Sequence, residues 1–143
     1  MATRGDEQAR ARMRDARVAR LGTVGEDGTP HLVPVTFSLD GDRIVTAVDH
    51  KPKSTTTGLR RLRNIRANPR VSVLVDHYDD DWATLWWVRA DGVATIVEHD
   101  EERLPALASL VAKYPQYADR VPEGPVILIE VTRYASWSYS GEL

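Results

Sequence analysis

Apolar and polar positions divide the chain into short elements of changing period. Between Asp6 and Arg20, Ala9, Met13 and Ala16 recur on one helical face. This predicts an N-terminal helix within residues 1–20, opened by Asp6 and stopped before Gly22. Its arginines (Arg10, Arg12, Arg14, Arg17, Arg20) are mixed with acids and are expected to face water. Arg20–Val24 reads as a first strand, and Glu26-Asp27-Gly28 is turn chemistry. Pro30–Leu39 reads as a second strand. Pro34 lies inside it and donates no ladder hydrogen bond, which predicts a sheet edge or a bulge where a flat ligand approaches the backbone. Asp40-Gly41 is a two-residue hairpin signal, so Ile44–Asp49 should return antiparallel to the second strand.

A helix is predicted over residues 54–67, with Leu59, Leu62 and Ile65 on its apolar side and Asn68-Pro69 as its stop. Ser54, Thr55, Thr56 and Thr57 offer hydroxyls that cap its start. Val71–Asp76 is a β-branched strand. Ala83–Glu98 reads as a long strand, kinked or bulged at Gly92. Successive strand residues point to opposite faces, so Trp86 and Trp87 cannot both enter the core. A helix over residues 100–120 carries Leu104, Leu107, Leu110 and Val111 as a stripe. Asp100 is read as its cap, and Tyr114-Pro115 ends or kinks it. Val126–Thr132 is a continuous apolar run, a buried strand that continues toward Ser140. Successive hairpins with few crossovers predict one domain over residues 1–143. They imply an antiparallel sheet that closes on itself, with helices at its margin.

Charge then singles out one stretch. Between His50 and Val71 lie Lys51, Lys53, Arg60, Arg61, Arg63, Arg66 and Arg70, and no acid. The chain has 19 basic and 21 acidic residues, net -2. Removing these seven leaves 12 basic against 21 acidic residues, so the positive charge is concentrated here. Concentrated positive charge attracts anions. Arginine forks, lysine ammoniums and a helix start suit a phosphate in particular. A solvated basic helix packing its other face on a sheet fits the same residues.

Other chemistry is absent. There is no cysteine, which excludes disulfides, thiolate metal sites and cysteine nucleophiles and fits a reducing cytoplasm. The N-terminus lacks the apolar core of a secretory leader, and no apolar run approaches the ~20 residues of a membrane span. A cytoplasmic location is therefore expected. His31, His50, His77 and His99 match no zinc spacing. The run His77-Tyr78-Asp79-Asp80-Asp81-Trp82 lacks calcium-loop spacing and reads as a solvated loop, so no metal is expected. No nucleophile elbow, dinucleotide fingerprint or phosphate-binding P-loop appears. If the protein is an enzyme, a cofactor carries the chemistry. No catalytic residue is assigned.

Gly28-Thr29-Pro30-His31 through Phe37, then Ile44–Val48, then Arg60-Arg61 and Asn64-Ile65-Arg66-Ala67-Asn68-Pro69-Arg70-Val71-Ser72 resemble the pyridoxamine 5′-phosphate oxidase-like split-barrel family. His77–Trp82 with Leu85-Trp86-Trp87-Val88-Arg89 looks like its coenzyme F-420 (deazaflavin)-dependent oxidoreductase branch. The resemblance implies a six-stranded antiparallel split barrel, mainly β, with flanking helices. It also implies a homodimer with two cofactor sites at the subunit interface. The implied cofactor residues are Pro34, Val35 and Thr36 along the ring, Thr46 and Ala47, and Lys51, Lys53, Arg60 and Arg61 toward the phosphate. Trp87 and Trp137 would come from the partner.

Thr36 stands where an FMN-binding oxidase has a lysine, which favours deazaflavin over FMN. No pyridoxal-phosphate-binding set appears near the C-terminus, so pyridoxamine phosphate oxidase activity itself is not expected. The implied activity is hydride transfer from reduced coenzyme F-420 to a small organic substrate. The product's proton would come from Tyr78, His77 or water. An FMN-dependent oxidoreductase is the alternative. So is a non-catalytic binder of flavin, deazaflavin or a tetrapyrrole. Nucleic-acid binding through the basic helix is opposed by the net charge and a pI near 6.1.

Overall fold

The computed structural model describes residues 4–48 and 55–143, and side chains from Gly5 to Val48 and from Arg60 onward. The described elements are α1 (Arg4–Asp15), β1 (Ala19–Val24), β2 (Pro30–Val35), β3 (Ser38–Asp40), β4 (Arg43–Ala47), α2 (Thr55–Ala67), β5 (Arg70–His77), β6 (Trp86–Val97), α3 (Asp100–Lys113), α4 (Pro115–Asp119) and β7 (Val126–Ser138). The strands form one sheet in the order β2-β1-β5-β6-β7-β4-β3, with every pair antiparallel.

This sheet curls until its two ends meet. Thr46 on β4 donates its hydroxyl to the carbonyl of Thr36, just past β2, at 2.8 Å. That contact continues the β3–β4 pairing; β2 ends at Val35 on one edge of the sheet and β3 starts at Ser38 on the other, so the two edges lie side by side and the sheet is coiled into a barrel. The expected antiparallel split barrel with flanking helices is therefore observed, with seven strands in place of six.

The extra strand comes from the Pro30–Leu39 run. Alternation continues through it, so it reads as one strand. In the structure Thr36-Phe37 carries the chain from β2, on one edge of the sheet, to β3 on the other. Phe37 is fully buried at this crossing. Burying such a side chain stabilises by about 1.5–3 kcal/mol, which outweighs continuing the ladder. Pro30 and Pro34 lie on the edge strand, where a missing amide hydrogen is tolerated. Asp40-Gly41 closes the β3–β4 hairpin, with Gly41 at φ +62.

β6 and β7 pair along their whole length, with one register shift between Asp91 and Gly92. A Cβ at Gly92 would collide with the carbonyl oxygen of Glu130 and lie 2.8 Å from Ile129. The predicted bulge is real, and it requires glycine.

The barrel interior is filled by Leu21, Phe37, Val73, Val75, Val88 and Ile129. Ala9 and Met13 of α1 plug it from one side, and Leu62 and Ile65 of α2 from another. A second, smaller core lies between α3 and the β4–β7 pair, around Val45, Leu107, Leu110, Tyr114 and Val126. No helix among the described residues is long and apolar enough to cross a membrane.

Several boundaries differ from the pattern reading. α1 ends at Asp15, because Ala19 already pairs with Val35. Its arginines do not simply face water. Arg10 pairs with Asp42 at 2.8 Å, Arg12 lies over the Trp86 ring, and Arg17 over Tyr114. As Tyr114-Pro115 predicted, the 100–120 helix breaks there, into α3 and α4. His99, not Asp100, holds the cap position of α3, with no side-chain cap bond. Asp100 instead accepts from Arg103 at 3.0 Å. Leu104 is exposed, so the buried stripe narrows to Leu107 and Leu110.

Candidate functional site

The outward face of β2, β1, β5 and β6 carries the first group of candidate residues. Register aligns Pro34, Arg20, Leu74 and Arg89 in one row, and Leu32, Gly22, Ser72 and Asp91 in the next. Asp76, Trp87 and Trp137 make the row above. Trp86 packs against the barrel core and under Arg12, while Trp87 takes the opposite face. Period-2 alternation predicted that split. The central part of the face is a shallow depression of about 380 Å³, floored by Leu32, Leu74 and Trp87 and rimmed by Arg20 and Arg89. Leu32 is 69% exposed and Trp137 40%. Charged groups on the face are paired with each other. Arg20 meets Asp76 at 3.4 Å, and Arg89 meets Asp91 at 2.9 Å. Ser72 adds a hydrogen bond to Asp91 at 2.8 Å. The Arg89 and Ser72 contacts hold the Asp91 carboxyl below its usual range although burial alone would raise it.

The second group lies at the other end of the strands, where α2 packs on β1. Asn64 of α2 donates to Thr23 at 3.1 Å, and Thr23 pairs with His31 across β1 and β2. Arg60 and Arg61 precede Asn64 by one helical turn, which places them on the same side of the helix. Arg60 is exposed and Arg61 is half-buried. The Nε of Arg61 and the Nδ1 of His31 are buried, with no hydrogen-bond partner among the described residues. Burial lowers the pKa of His31, and the charges of Arg60 and Arg61 lower it further. Burial also lowers that of Arg61. Arg63 is exposed, and Arg66 pairs with Glu98 at 2.8 Å.

The third group sits at the seam where the barrel closes. Thr36 Oγ1 and the Tyr117 hydroxyl are 2.6 Å apart. Tyr114 binds both the amide and the carbonyl of Phe37, at 3.2 and 3.0 Å, and the Arg17 carbonyl at 3.0 Å. Val35 and Thr46 are buried, and Ala47 packs against the smaller core. Pro34 alone of these residues is exposed on the outer face.

The candidate residues therefore occupy three places. Trp87 and Trp137 are adjacent. Pro34 shares their face, one row away. Arg60 and Arg61 lie together, one helical turn from the Asn64–Thr23 contact, toward the opposite end of the sheet from Trp87. Lys51 and Lys53 lie outside the described residues. Two residues went unassigned in the sequence reading. His31 was visible there, since alternation puts it on the side of β2 away from Leu32. Tyr117 was not, because nothing local links α4 to Thr36 across 81 positions.

In the acidic loop, Asp79 accepts from the Asp81 amide at 2.8 Å and meets His77 at 2.9 Å. Asp81 accepts from the Ala83 amide and starts a short 3-10 turn, Trp82–Thr84. No group of three or more potential metal ligands converges among the described residues.

Comparison with known proteins places this geometry. A 57-residue stretch is 39% identical to 5a,11a-dehydrotetracycline/5a,11a-dehydrooxytetracycline reductase of Streptomyces rimosus. It covers 40% of this chain and only 38% of that protein. A conserved hypothetical protein of Mycobacterium tuberculosis superposes with a TM-score of 0.71 at 24% identity, over 96% of this chain and 86% of that one. An FAD-binding protein of Mesorhizobium loti superposes with a TM-score of 0.68 at 19% identity, over 91% of each chain. These two likenesses show the fold. The pyridoxamine 5′-phosphate oxidase family profile matches residues 6–138, and the chain belongs to that family.

Proposed function

We propose that the protein is an oxidoreductase that uses coenzyme F-420 to reduce a small organic molecule, working as a homodimer. The observation that carries this reading is the presence of two features, one toward each end of the sheet. One is a half-buried arginine with an open Nε. The other is an apolar depression walled by Trp87. The residues fit a cofactor with an anionic tail and a flat ring. Arg61 and Arg60 offer charge-assisted donors to phosphate oxygens. Trp87, with Leu32 and Leu74, offers an apolar surface for a ring. When bound, the deazaflavin supplies the hydride. The protein's part is orientation, exclusion of water and a fixed electrostatic frame.

Thr36 favours deazaflavin over FMN. In place of a lysine it has a short hydroxyl, engaged with Tyr117. The partial similarity to a 5a,11a-dehydrotetracycline/5a,11a-dehydrooxytetracycline reductase supports reduction as the direction of transfer. The exposed Leu32 and Trp137 on the outward sheet face support a dimer that covers that face.

Titration with coenzyme F-420 and with FMN, followed by tryptophan fluorescence, tests the reading. Micromolar binding of F-420 with much weaker FMN binding supports it. Preference for FMN moves the protein to the flavin branch, and binding of neither removes the enzymatic reading.

A further inference from the structure

The cofactor reading leaves Lys113 unused. Its ammonium lies 4.0 Å from the ring centroid of Phe37 and 5.3 Å from that of Tyr114, and it donates to the Ala16 carbonyl at 2.6 Å. The Arg17 guanidinium shares the Tyr114 ring at 4.8 Å and donates to the Lys113 carbonyl at 3.1 Å. Two cations therefore crowd one aromatic ring. Asp15 does little to relieve them. Its side chain is 80% exposed, it lies 3.8 Å from Arg14, and its effect on Lys113 is weaker than that of Arg17. Half-burial beside a like charge disfavours an ammonium and favours a neutral, nucleophilic amine.

Lys113 lines an open hollow of about 610 Å³ together with Arg14, Arg17, Ser38 and Ser109. The Ser38 and Ser109 hydroxyls are 2.6 Å apart, and Ser109 also donates to the Ala106 carbonyl at 3.2 Å. The donors left for a ligand are those of the two guanidinium groups, each of which carries five N–H bonds. A reagent that adds to the neutral amine and leaves it anionic would remove the like-charge contact and give both arginines a partner. Carbon dioxide is the small electrophile that does so.

We propose that Lys113 reversibly binds carbon dioxide as a carbamate, whose carboxylate is held by the guanidinium groups of Arg14 and Arg17. The Nζ lone pair forms a bond to the carbon of CO2, one C–O π pair moves onto oxygen, and the nitrogen gives one proton to water. Nothing is oxidised or reduced. The carbamate nitrogen keeps one N–H, enough to retain the bond to the Ala16 carbonyl, while the new carboxylate extends into the hollow. The chemistry is independent of which cofactor the protein binds.

The charged and titratable groups facing Lys113 are Arg14 and Asp15 from α1, Arg17 from the segment before β1, and Tyr114 beside it in sequence. Burial and then Arg17 bring the ammonium from 10.5 to about 8, against a smaller opposing effect of Asp15. At pH 7.5 roughly a quarter of such amines is neutral, against about one in a thousand for an ordinary lysine. Each carbamate formed releases two protons where the amine starts charged and one where it starts neutral. At fixed dissolved CO2, occupancy should therefore rise with pH, and most steeply below about 8.

The test equilibrates the full chain with 13C-labelled CO2 and bicarbonate, then traps carbamates as ethyl esters with triethyloxonium. Lys51, Lys53 and Lys113 are the three lysines of the chain, so peptide mass spectrometry assigns each side-chain adduct. The expected result is a labelled adduct on Lys113 at least tenfold above that on Lys51 or Lys53 near neutral pH, rising with pH. Arg14→Gln and Arg17→Gln keep the lysine. Measured above the midpoint of the amine, where its protonation no longer limits the step, each should lower the Lys113 adduct several-fold. Absence of an adduct on Lys113, which includes bicarbonate held only as an ion, overturns the proposal. So do equal adducts on all three lysines, which would mean ordinary exposed amines, and an occupancy unchanged in both arginine variants.

Discussion

Trp87 and Trp137 face each other directly across the β6–β7 ladder, on the outward side of the sheet. A cross-strand aromatic pair adds about 0.2–1 kcal/mol to the sheet. That does not explain two large rings standing partly in water beside an exposed Leu32. As the anchor of a subunit interface, Trp137 would be worth 2 kcal/mol or more. Trp137→Ala should therefore weaken self-association more than tenfold and leave the melting temperature of the monomer nearly unchanged. Analytical ultracentrifugation across a dilution series reads this. An unaltered dimer would remove the sheet face from the interface.

Arg61→Ala should weaken F-420 binding by about 1–3 kcal/mol, the range for a charge-assisted hydrogen bond to a partly buried partner. Arg66 is the matched control, since it is exposed and paired with Glu98. Arg66→Ala should change affinity by less than about twofold, within the range of an exposed pair. Equal losses in both variants would mean that diffuse positive charge, not a specific site, attracts the ligand.

Gly92→Ala tests the bulge. The added methyl meets the Glu130 carbonyl and the Ile129 side chain, both in the strand that β6 pairs with most extensively. Backbone cannot move aside as a flexible side-chain end can, so a loss of about 2–4 kcal/mol is expected. Urea denaturation measures it. A loss under about 0.5 kcal/mol would show that the two strands slide to a new register without cost.

Lys113 gives a pH signature. Its ammonium lies 4.0 Å from the Phe37 ring centroid and donates to the Ala16 carbonyl at 2.6 Å. Burial, and then the charge of Arg17, lower its pKa from 10.5 to about 8. The folded state thus releases this proton more readily than the unfolded state. Stability should rise as pH rises through the window from about 8 toward 10.5 and stay flat in this respect below it. Solvent access and the ring contact reduce the size of the effect. Lys113→Met should abolish the rise. Melting temperatures of both proteins at two pH values, one inside and one below the window, decide it. A rise of the same size in Lys113→Met would assign it to another group.

The local elements follow from sequence by itself. Alternation separated Trp86 from Trp87. Asn68-Pro69 ended α2, where the Asn68 amide closes on Asn64 and its side chain accepts from Arg70. Gly92 marked the bulge, and the missing acids between His50 and Val71 marked the basic segment. Each of these is a short-range effect of backbone geometry or net charge, which neighbouring residues carry. Three things depended on tertiary structure. The Pro30–Leu39 run became two strands because burying Phe37 at the barrel seam outweighed continuing one ladder. Thr36 acquired Tyr117 as a partner from 81 positions away. His31 and Arg61 became neighbours because Asn64 docks on Thr23, and their open nitrogens exist only once the packing around them is complete. Periodicity records which face of an element is apolar. It does not record which other element covers that face, and these three features were decided there.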